Sequence, residues 1–176
     1  MTNIRPAQPN DFDAIYAIWL EGIVHSFAGF DYPADLREQF HNNFATCRPP
    51  FGFWVAETVG EVVGWQSLLP CTSNPLKRHL LAESSTYVAV GTQTRGMGYA
   101  LLRHALAEAG ERGLQFVFGY VLAGNVRMAK LVHRCGFVLA SNALTPQLPP
   151  FHSAKDLWIH TTGPVSRGAT VPSIQI

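Results

Sequence analysis

The chain has 176 residues, 47% of them hydrophobic, and its formal net charge is +1. This length is enough for one compact domain with a substantial buried core. The near-neutral charge offers no basic surface for nucleic acid or for an acidic membrane. No apolar run is long enough to span a bilayer, and the N-terminus lacks the basic-then-apolar pattern of a secretory signal. We therefore expect neither nucleic acid nor a membrane as a partner.

The cysteines indicate the redox environment of the chain. There are three, Cys47, Cys71 and Cys135, and they are odd in number and far apart in sequence. None belongs to a Cys-x-x-Cys pair, so neither a disulfide framework nor a zinc site is expected. The pattern is typical of reduced thiols in a cytoplasmic protein, and no metal site is predicted.

The first third of the chain predicts a short strand followed by two helices. Residues 3–5 are predicted to form the strand, which ends at Pro6. Asn10 is a candidate cap for the first helix. Four apolar residues at spacings of three or four predict its buried stripe: Phe12, Ile15, Trp19 and Ile23. The second helix is predicted over residues 34–45, before the loop at Pro49-Pro50.

The next segment predicts a β-hairpin. Residues 53–58 and 61–69 are rich in β-branched and aromatic side chains, and Val59-Gly60 separates them. A two-residue connection with glycine in second place is typical of a hairpin turn. Residues 70–80 are polar and irregular, so a loop is expected there.

Residues 83–112 predict a strand, a glycine-bearing loop and a helix. The strand part contains Tyr87, Val88 and Val90. The helix has a buried face of Leu101, Leu102, Ala105, Leu106 and Ala109. Glu108 lies four residues before Arg112, a spacing that favours an ion pair on a helix.

The glycines at 96 and 98 fall where that strand passes into the helix. Backbone N–H groups at a helix start lack partners within the helix, and the helix dipole is positive there. This geometry binds phosphate, and the absence of side chains at Gly96 and Gly98 lets an anion approach the backbone. Alternatively, the two glycines only make a tight turn. The pattern fits neither a P-loop nor a dinucleotide fingerprint.

The last third predicts two strands around a short helix, followed by a final strand. The first strand is predicted over residues 115–122, the helix over 126–135, and a further strand begins at Phe137. A proline-rich turn is expected over 145–150 and the final strand over 155–161. The prediction is one domain over residues 1–161 with an irregular tail over 162–176.

The motifs resemble those of one family. Residues 93–98, Gln-Thr-Arg-Gly-Met-Gly, fit the Gln/Arg-x-x-Gly-x-Gly/Ala loop of the GCN5-related N-acetyltransferases (GNAT). Residues 53–65 resemble the family's central hairpin. The family's Asn-x5-Leu-x4-Gly-Phe segment is matched by Asn125, Leu131, Gly136 and Phe137. Within the family, Ala82-Glu83, Ser85 and Tyr87-Val88 are most similar to the phosphinothricin/methionine sulfone acetyltransferase branch.

The resemblance implies a fold of mixed α/β (α+β) class. Its central sheet would have about six to seven strands, flanked by about four helices. It also implies an N-acetyltransferase that uses acetyl-CoA as cosubstrate and acts on the primary amine of a small molecule, such as an amino-acid analogue. Pairing of two copies as a homodimer is a further implication, because relatives in the branch often pair.

Glu83 is the candidate catalytic residue. An amine of pKa near 10 is mostly protonated at neutral pH, so a base must remove its proton before it attacks a thioester. Glu83 lies among apolar neighbours, and loss of solvation there would raise its pKa toward a useful value. The resembling branch has a glutamate at the matched position, proposed as the base. The alternative is a surface glutamate at a strand start.

The resemblance also implies the residues that bind the coenzyme. Main-chain groups at the strand end would pair with the pantetheine arm, and an amide there would steady the thioester oxygen. The candidate coenzyme-binding residues are Val88, Ala89, Val90, Gln93, Thr94, Arg95, Gly96, Met97, Gly98, Tyr99 and Asn125. Asn125 alternatively serves only as the cap of its helix.

Two departures from the family pattern concern the reaction and the acceptor. Many relatives have a Tyr or His seven residues after the asparagine, suspected of protonating the departing thiolate, but this chain has Val132 there. His133 follows but points about 100° away on a helix. The branch usually has an arginine four residues before the glutamate, where this chain has His79 beside Arg78. A protein or peptide acetyltransferase and a non-catalytic acyl-CoA-binding module therefore remain alternative functions.

Overall fold

A mixed β-sheet with helices on both faces forms the framework. The structure, a computed structural model, describes residues 2–26, 33–92, 95–144 and 154–163. In this part of the chain the strands are β1 (Thr2–Pro6), β2 (Gly52–Thr58), β3 (Glu61–Pro70), β4 (Leu81–Val88), β5 (Phe116–Leu122), β6 (Val138–Leu144) and β7 (Lys155–Thr161). The helices are α1 (Phe12–Ser26), α2 (Leu36–Ala45), α3 (Met97–Glu111) and α4 (Val126–Arg134), with a 3₁₀ turn at Pro9–Asp11.

The sheet order is β1-β2-β3-β4-β5-β7-β6. Neighbouring strands are antiparallel except β4 and β5, which are parallel. Their pairing joins only Leu81–Glu83 to Phe116–Phe118. Beyond Glu83 and Phe118 the described parts of the two strands are no longer paired, so the sheet opens there. This opening positions the site described below.

Each face of the sheet has its own hydrophobic core, because side chains alternate along a strand. Trp54 of β2 packs on the α3 and α4 side with Leu102, Leu106 and Val117. Its neighbours Phe53 and Val55 project to the opposite side, where they pack with Ile15 and Ile18 of α1.

Helix α3 follows the sequence prediction closely. All five apolar residues of its predicted face are buried. Arg112 donates to Glu108 at 2.7 Å, so the expected ion pair is present. Gly113 follows with a φ of 83°, the left-handed conformation that glycine adopts readily after a helix.

The hairpin and the overall class are confirmed. Val59 and Gly60 have φ values of 53° and 82°, and two successive positive values are typical of the tight turn that suits twisted strands. The described residues contain seven strands and four α-helices, in agreement with the predicted mixed sheet and its flanking helices. None of the described helices is both long and apolar enough to cross a membrane.

The N-terminal helices differ from the prediction in their starts. Asn10 does not cap α1, because it lies inside the 3₁₀ turn, whose N-cap is Gln8. Helix α2 begins at Leu36, two residues later than predicted. In α1 the stripe is buried as expected at Phe12, Ile15 and Ile23, but Trp19 is only half-buried. The predicted turn at 145–150 and the tail from residue 164 lie outside the described residues.

A buried ion pair fixes the start of the chain against the sheet. The Asp11 side chain is 6% exposed and accepts hydrogen bonds from Arg5 at 2.7 and 3.0 Å. It also accepts from the backbone N–H of Gln8 at 2.7 Å. Arg5 reaches Glu57 of β2 at 2.9 Å. The hydrogen bonds from Arg5 hold the pKa of Asp11 below its ordinary value against the opposing effect of burial.

We expect Asp11→Ala to lower the free energy of unfolding by about 2–4 kcal/mol at neutral pH, because Arg5 loses a buried partner. The depressed pKa of Asp11 means that its contribution is present above the ordinary carboxyl pKa and is lost as the pH falls through the folded-state value. Urea unfolding at pH 7 and in acid would measure both effects.

Asp13→Ala is the matched control. Asp13 and its partner Arg37 are 82% and 60% exposed, so their ion pair should contribute less than about 1 kcal/mol. Equal losses in the two variants would contradict the assignment of Asp11 as the stabilising carboxylate.

Candidate active site

The opening between β4 and β5 contains a cavity of about 480 Å³, here called the inner cavity. Helix α1 lies on one side of it and helix α4 on the other. Its lining includes Trp19, Gly22, Glu83, Ser84, Ser85, Tyr87, Tyr120, Val132, Phe137 and Lys155. The cavity therefore combines titratable groups with an apolar wall.

A second cavity of about 580 Å³, the outer cavity, lies between the end of β4, the start of α3 and α4. Its lining includes Val88, Ala89, Val90, Gly96, Met97, Gly98, Tyr99, Asn125, Arg127, Lys130 and Arg134. Thr86, Val88, Asn125 and Met128 line both cavities. The two cavities thus form one continuous cleft along β4, the β4–β5 cleft.

The start of α3 provides bare backbone to the outer cavity. Gly96 is the N-cap of the helix, with a φ of 84°, and it has no side chain to cap the first turn. The N–H groups of that turn have no partner within the helix. A Cβ added at Gly98 would lie 3.4 Å from Leu131 and 3.7 Å from Thr86, so the missing side chain keeps this side of the cleft open. The arrangement suits an anion such as a diphosphate.

Helix α4 adds positive charge that the sequence analysis missed. Arg127, Lys130 and Arg134 line the outer cavity, and their spacings of three and four place them on one helical face. Arg134 also lies over the ring of Tyr99, 4.5 Å from its centroid. The spacing of these three basic residues could have been recognised in the sequence as one positive helical face. Its position beside the start of α3 is set only by the folded chain.

Ten coenzyme-binding residues were predicted besides Asn125. Eight of them lie in the described part of the chain, and seven of these eight line the outer cavity. The exception is Arg95, which is exposed and is not among the lining residues. Gln93 and Thr94 lie outside the described residues.

The strand end carries a contact that the sequence did not predict. The Val90 N–H, one of the amides expected to meet a pantetheine arm, donates to the Glu21 carboxylate of α1 at 3.0 Å. The Ala89 N–H donates to Val63 at 2.9 Å. The Val90 amide is therefore already engaged by an acidic side chain.

Asn125 caps helix α4 and also lines the cleft, so its position agrees with both roles considered for it. Its side chain accepts a hydrogen bond from the Met128 N–H at 3.0 Å and caps α4. The same residue lines both cavities of the cleft. Capping holds the side chain at the start of α4, beside the junction of the two cavities.

Glu83 is the last β4 residue paired with β5 and lies where the strands separate. It is half-buried and lines the inner cavity. Burial raises its pKa above the ordinary carboxyl value, and the positive charge of Lys155 opposes that rise. The direction is the one expected from its apolar sequence neighbours. A carboxylate so placed can accept a proton from a group bound in the cavity.

Lys155 is a further residue of the inner cavity that the sequence analysis missed. Burial lowers the pKa of its ammonium group, and the negative charge of Glu83 opposes that change. It begins β7, which lies beside β5 although 32 residues separate Leu122 from Lys155. Only the sheet order brings it to the cavity.

The sequence also offers Phe30, Trp65 and Tyr87 as aromatic walls of a small acceptor pocket, with the alternative that they belong to the core, and their positions differ. Tyr87 lines the inner cavity and stacks on Trp65 with 4.9 Å between ring centroids. Trp65 is 2% exposed and belongs to the core. Phe30 lies outside the described residues.

The structure also places the residues at the two departures from the family pattern. Val132 is buried and lines the inner cavity, whereas His133 is exposed. Helix α4 therefore places a hydrocarbon side chain on that wall. Arg78 and His79 line a different cavity, next to the loop after α2, and do not face the β4–β5 cleft. Within the described residues, no cluster of His, Cys, Asp and Glu is arranged to hold a metal ion.

Known structures share this architecture. The protein yncA of Salmonella typhimurium, assigned as an acetyltransferase and solved with its cofactor acetyl-CoA, matches 92% of this chain and 94% of its own with a TM-score of 0.78 at 22% identity. A phosphinothricin acetyltransferase from Sinorhizobium meliloti in complex with acetyl-CoA matches 91% of this chain and 88% of its own with a TM-score of 0.74 at 18% identity. These two likenesses establish the fold.

A ribosomal-protein-alanine N-acetyltransferase from Brucella melitensis is also similar, with a TM-score of 0.76 and 26% identity over 90% of this chain and 99% of its own. The family model described as "Acetyltransferase (GNAT) family" matches residues 13–137, which include α1, β4, the start of α3 and α4. That match covers most of the chain and, apart from Lys155, all the residues that line the two cavities of the cleft. The chain therefore belongs to the GNAT family of acetyltransferases.

Proposed function

We propose that this acetyltransferase transfers the acetyl group of acetyl-CoA to the primary amine of a small molecule by direct attack on the thioester. The favoured acceptor is an amino-acid analogue of the phosphinothricin or methionine sulfone and sulfoximine type. The observation that carries the proposal is Glu83 at the point where β4 and β5 separate, facing a cavity that also contains Lys155.

The outer cavity fits the coenzyme in its chemistry. The bare helix start at Gly96 and Gly98 suits a diphosphate, and Arg127, Lys130 and Arg134 add complementary charge. Two of the similar structures contain acetyl-CoA. When bound, this cosubstrate supplies an activated acetyl thioester, and the chain needs to bind it, orient it and provide a base.

The inner cavity fits an amine that also carries an acidic group. Glu83 takes the proton from the amine, directly or through a water, and its raised pKa makes it a better proton acceptor than an exposed glutamate. The ammonium group of Lys155 lies on the same cavity and attracts an anionic group on the acceptor. A zwitterionic amino acid presents an amine to Glu83 and an acidic group to Lys155.

Acetylation of a protein or peptide is the second candidate. It is supported by the likeness to the Brucella melitensis enzyme, which is named for acting on a ribosomal-protein alanine. A panel of amino acids, their oxidised sulfur and phosphinic analogues and N-terminal alanine peptides, followed by release of free thiol, would separate the two. Turnover restricted to peptides would contradict the small-molecule proposal.

Two further properties stay predictions, the first from the cysteine pattern and the second from the resemblance. One is a cytoplasmic location, which agrees with the free thiols of Cys47, Cys71 and Cys135, all within the described residues. The other is pairing of two copies as a homodimer, which sedimentation would measure directly.

We expect recognition of the acceptor's acidic group to depend on Lys155. An amino-acid acceptor should be turned over with a lower KM than its own carboxamide, by about tenfold, because an ion pair of about 1.4 kcal/mol is lost in the amide. Lys155→Met should remove this difference by raising KM for the amino acid alone. A preference that survives in Lys155→Met would assign the recognition to another residue.

Glu83→Gln should lower kcat about 10²–10⁴-fold, the usual contribution of a positioned general base. Calorimetry should show nearly unchanged affinity for acetyl-CoA, because Glu83 does not line the outer cavity. In the wild type, kcat/KM should rise with pH through the raised pKa of Glu83. Glu61→Gln, on the exposed start of β3, is the control. Full activity of Glu83→Gln across the pH range would exclude Glu83 as the base.

The same substitution should stabilise the fold at neutral pH. A carboxyl group whose folded-state pKa is raised loses its proton more readily in the unfolded chain, so the native state loses stability as the pH rises from the ordinary carboxyl pKa to the folded-state value. We expect Glu83→Gln to have a higher Tm than the wild type at pH 7 and no advantage below pH 4. A lower Tm at pH 7 would show that Glu83 makes a net stabilising interaction in the fold.

A further inference from the structure

A buried glutamine forms hydrogen bonds with two hydroxyl groups on the wall of the β4–β5 cleft. Gln66 lies on β3 opposite Thr86 of β4, and its side chain is 0% exposed. Its Nε2 donates to the backbone carbonyl of Ser67 at 2.7 Å and to Ser84 Oγ at 2.9 Å. Its Oε1 accepts from the Thr86 hydroxyl.

This network fixes the direction of each hydrogen bond. A backbone carbonyl only accepts, so the group that meets Ser67 must be the amide NH₂, and Oε1 must be the acceptor that meets Thr86. The Thr86 proton is therefore committed to Gln66. Ser84, in contrast, accepts from Gln66, so its own proton is left to donate elsewhere, and the structure gives it no acceptor among the described residues.

The free donor of Ser84 faces the cleft. Ser84 is half-buried and lines the inner cavity together with Met128, Val132 and Phe137 of its apolar wall. Glu83 and Ser84 are consecutive on a strand and project to opposite faces. Glu83 shares its face with Tyr87 and α1, whereas Ser84 shares its face with Ala82, which packs in the core beside α3 and α4.

The reaction changes the charge of two groups, the amine that loses a proton and the sulfur that gains an electron pair. Glu83 and Ser84, on opposite faces of β4, correspond to these two groups. As the amine nitrogen bonds to the acetyl carbon, its proton passes to Glu83 and the bond from that carbon to sulfur breaks, leaving the electron pair on sulfur. Negative charge against a hydrocarbon wall is costly without a hydrogen-bond donor. Val132 offers none on that wall.

We propose that the Ser84 hydroxyl, oriented by Gln66, donates a hydrogen bond to the sulfur as it leaves, an inference that rests on the proposed function. Ser84 keeps its proton throughout, and the released thiolate takes one from water. Gln66 is a positioning residue, because it acts only through Ser84 and Thr86.

The test follows the ionisation of the coenzyme A thiol bound to the protein, through the ultraviolet absorbance of the thiolate, and needs no amine acceptor. In Ser84→Ala, the ionisation equilibrium should shift about tenfold toward the thiol relative to the wild type, which is one pKa unit. Ser84→Thr retains a hydroxyl and should restore the wild-type titration. With an acceptor, Ser84→Ala should lower kcat about tenfold and leave KM for acetyl-CoA unchanged.

Ser85→Ala is the matched control, since Ser85 also lines the inner cavity but projects from the opposite face of β4. Its thiol titration should equal that of the wild type. Gln66→Met should shift the titration in the same direction as Ser84→Ala.

Identical titrations of wild type and Ser84→Ala, with coenzyme A bound to both by calorimetry, would overturn this inference and leave the proposed function intact. Absence of coenzyme A binding to the wild type would overturn both.

Discussion

The hydrogen bonding between β4 and β5 stops after three residue pairs, and the site depends on that limit. Up to Glu83 the two strands form an ordinary parallel pair, and beyond it each strand leaves one edge of its backbone facing a cleft. Parallel strands are normally buried and continuous within a sheet. Here the interruption creates a space inside the sheet that is walled by main chain, with a carboxylate at its inner end.

Helices α4 and α1 pack on the two sides of this opening. Helix α4 begins after β5 with Asn125 as its cap, and its Met128 and Val132 line the opening. Helix α1 supplies the other side through Trp19 and Gly22. A Cβ added at Gly22 would come within 2.8 Å of the Tyr87 ring, so this helix can approach β4 closely only with glycine at that position. Two opposed helices thus hold the shape of the cleft.

Patterns among sequence neighbours predicted the helices and strands, whereas contacts between residues far apart in the sequence determine which side chains meet at the site. The strand and helix of residues 81–111 follow from patterns among sequence neighbours, so their types were predictable, although β4 both begins and ends two residues earlier than the predicted strand. Lys155 joins Glu83 only through the order β5-β7-β6, and Gln66 meets Ser84 from 18 residues away. The Asn10 cap was wrong because a 3₁₀ turn capped by Gln8 precedes α1, and in that turn Asp11 accepts from the Gln8 N–H as well as from Arg5 on β1.

The hydrogen bond from the Val90 amide to Glu21 has a consequence for how the cleft meets any strand-like ligand. The Val90 N–H must give up its hydrogen bond to the Glu21 side chain before it can bond to a ligand, so a ligand there exchanges partners instead of adding one. Because Glu21 is exposed, its released carboxylate would return to water at little cost. The Glu21 side chain therefore takes the place of a neighbouring strand. The Val90 N–H at this exposed sheet edge keeps a hydrogen-bond partner until a ligand replaces Glu21.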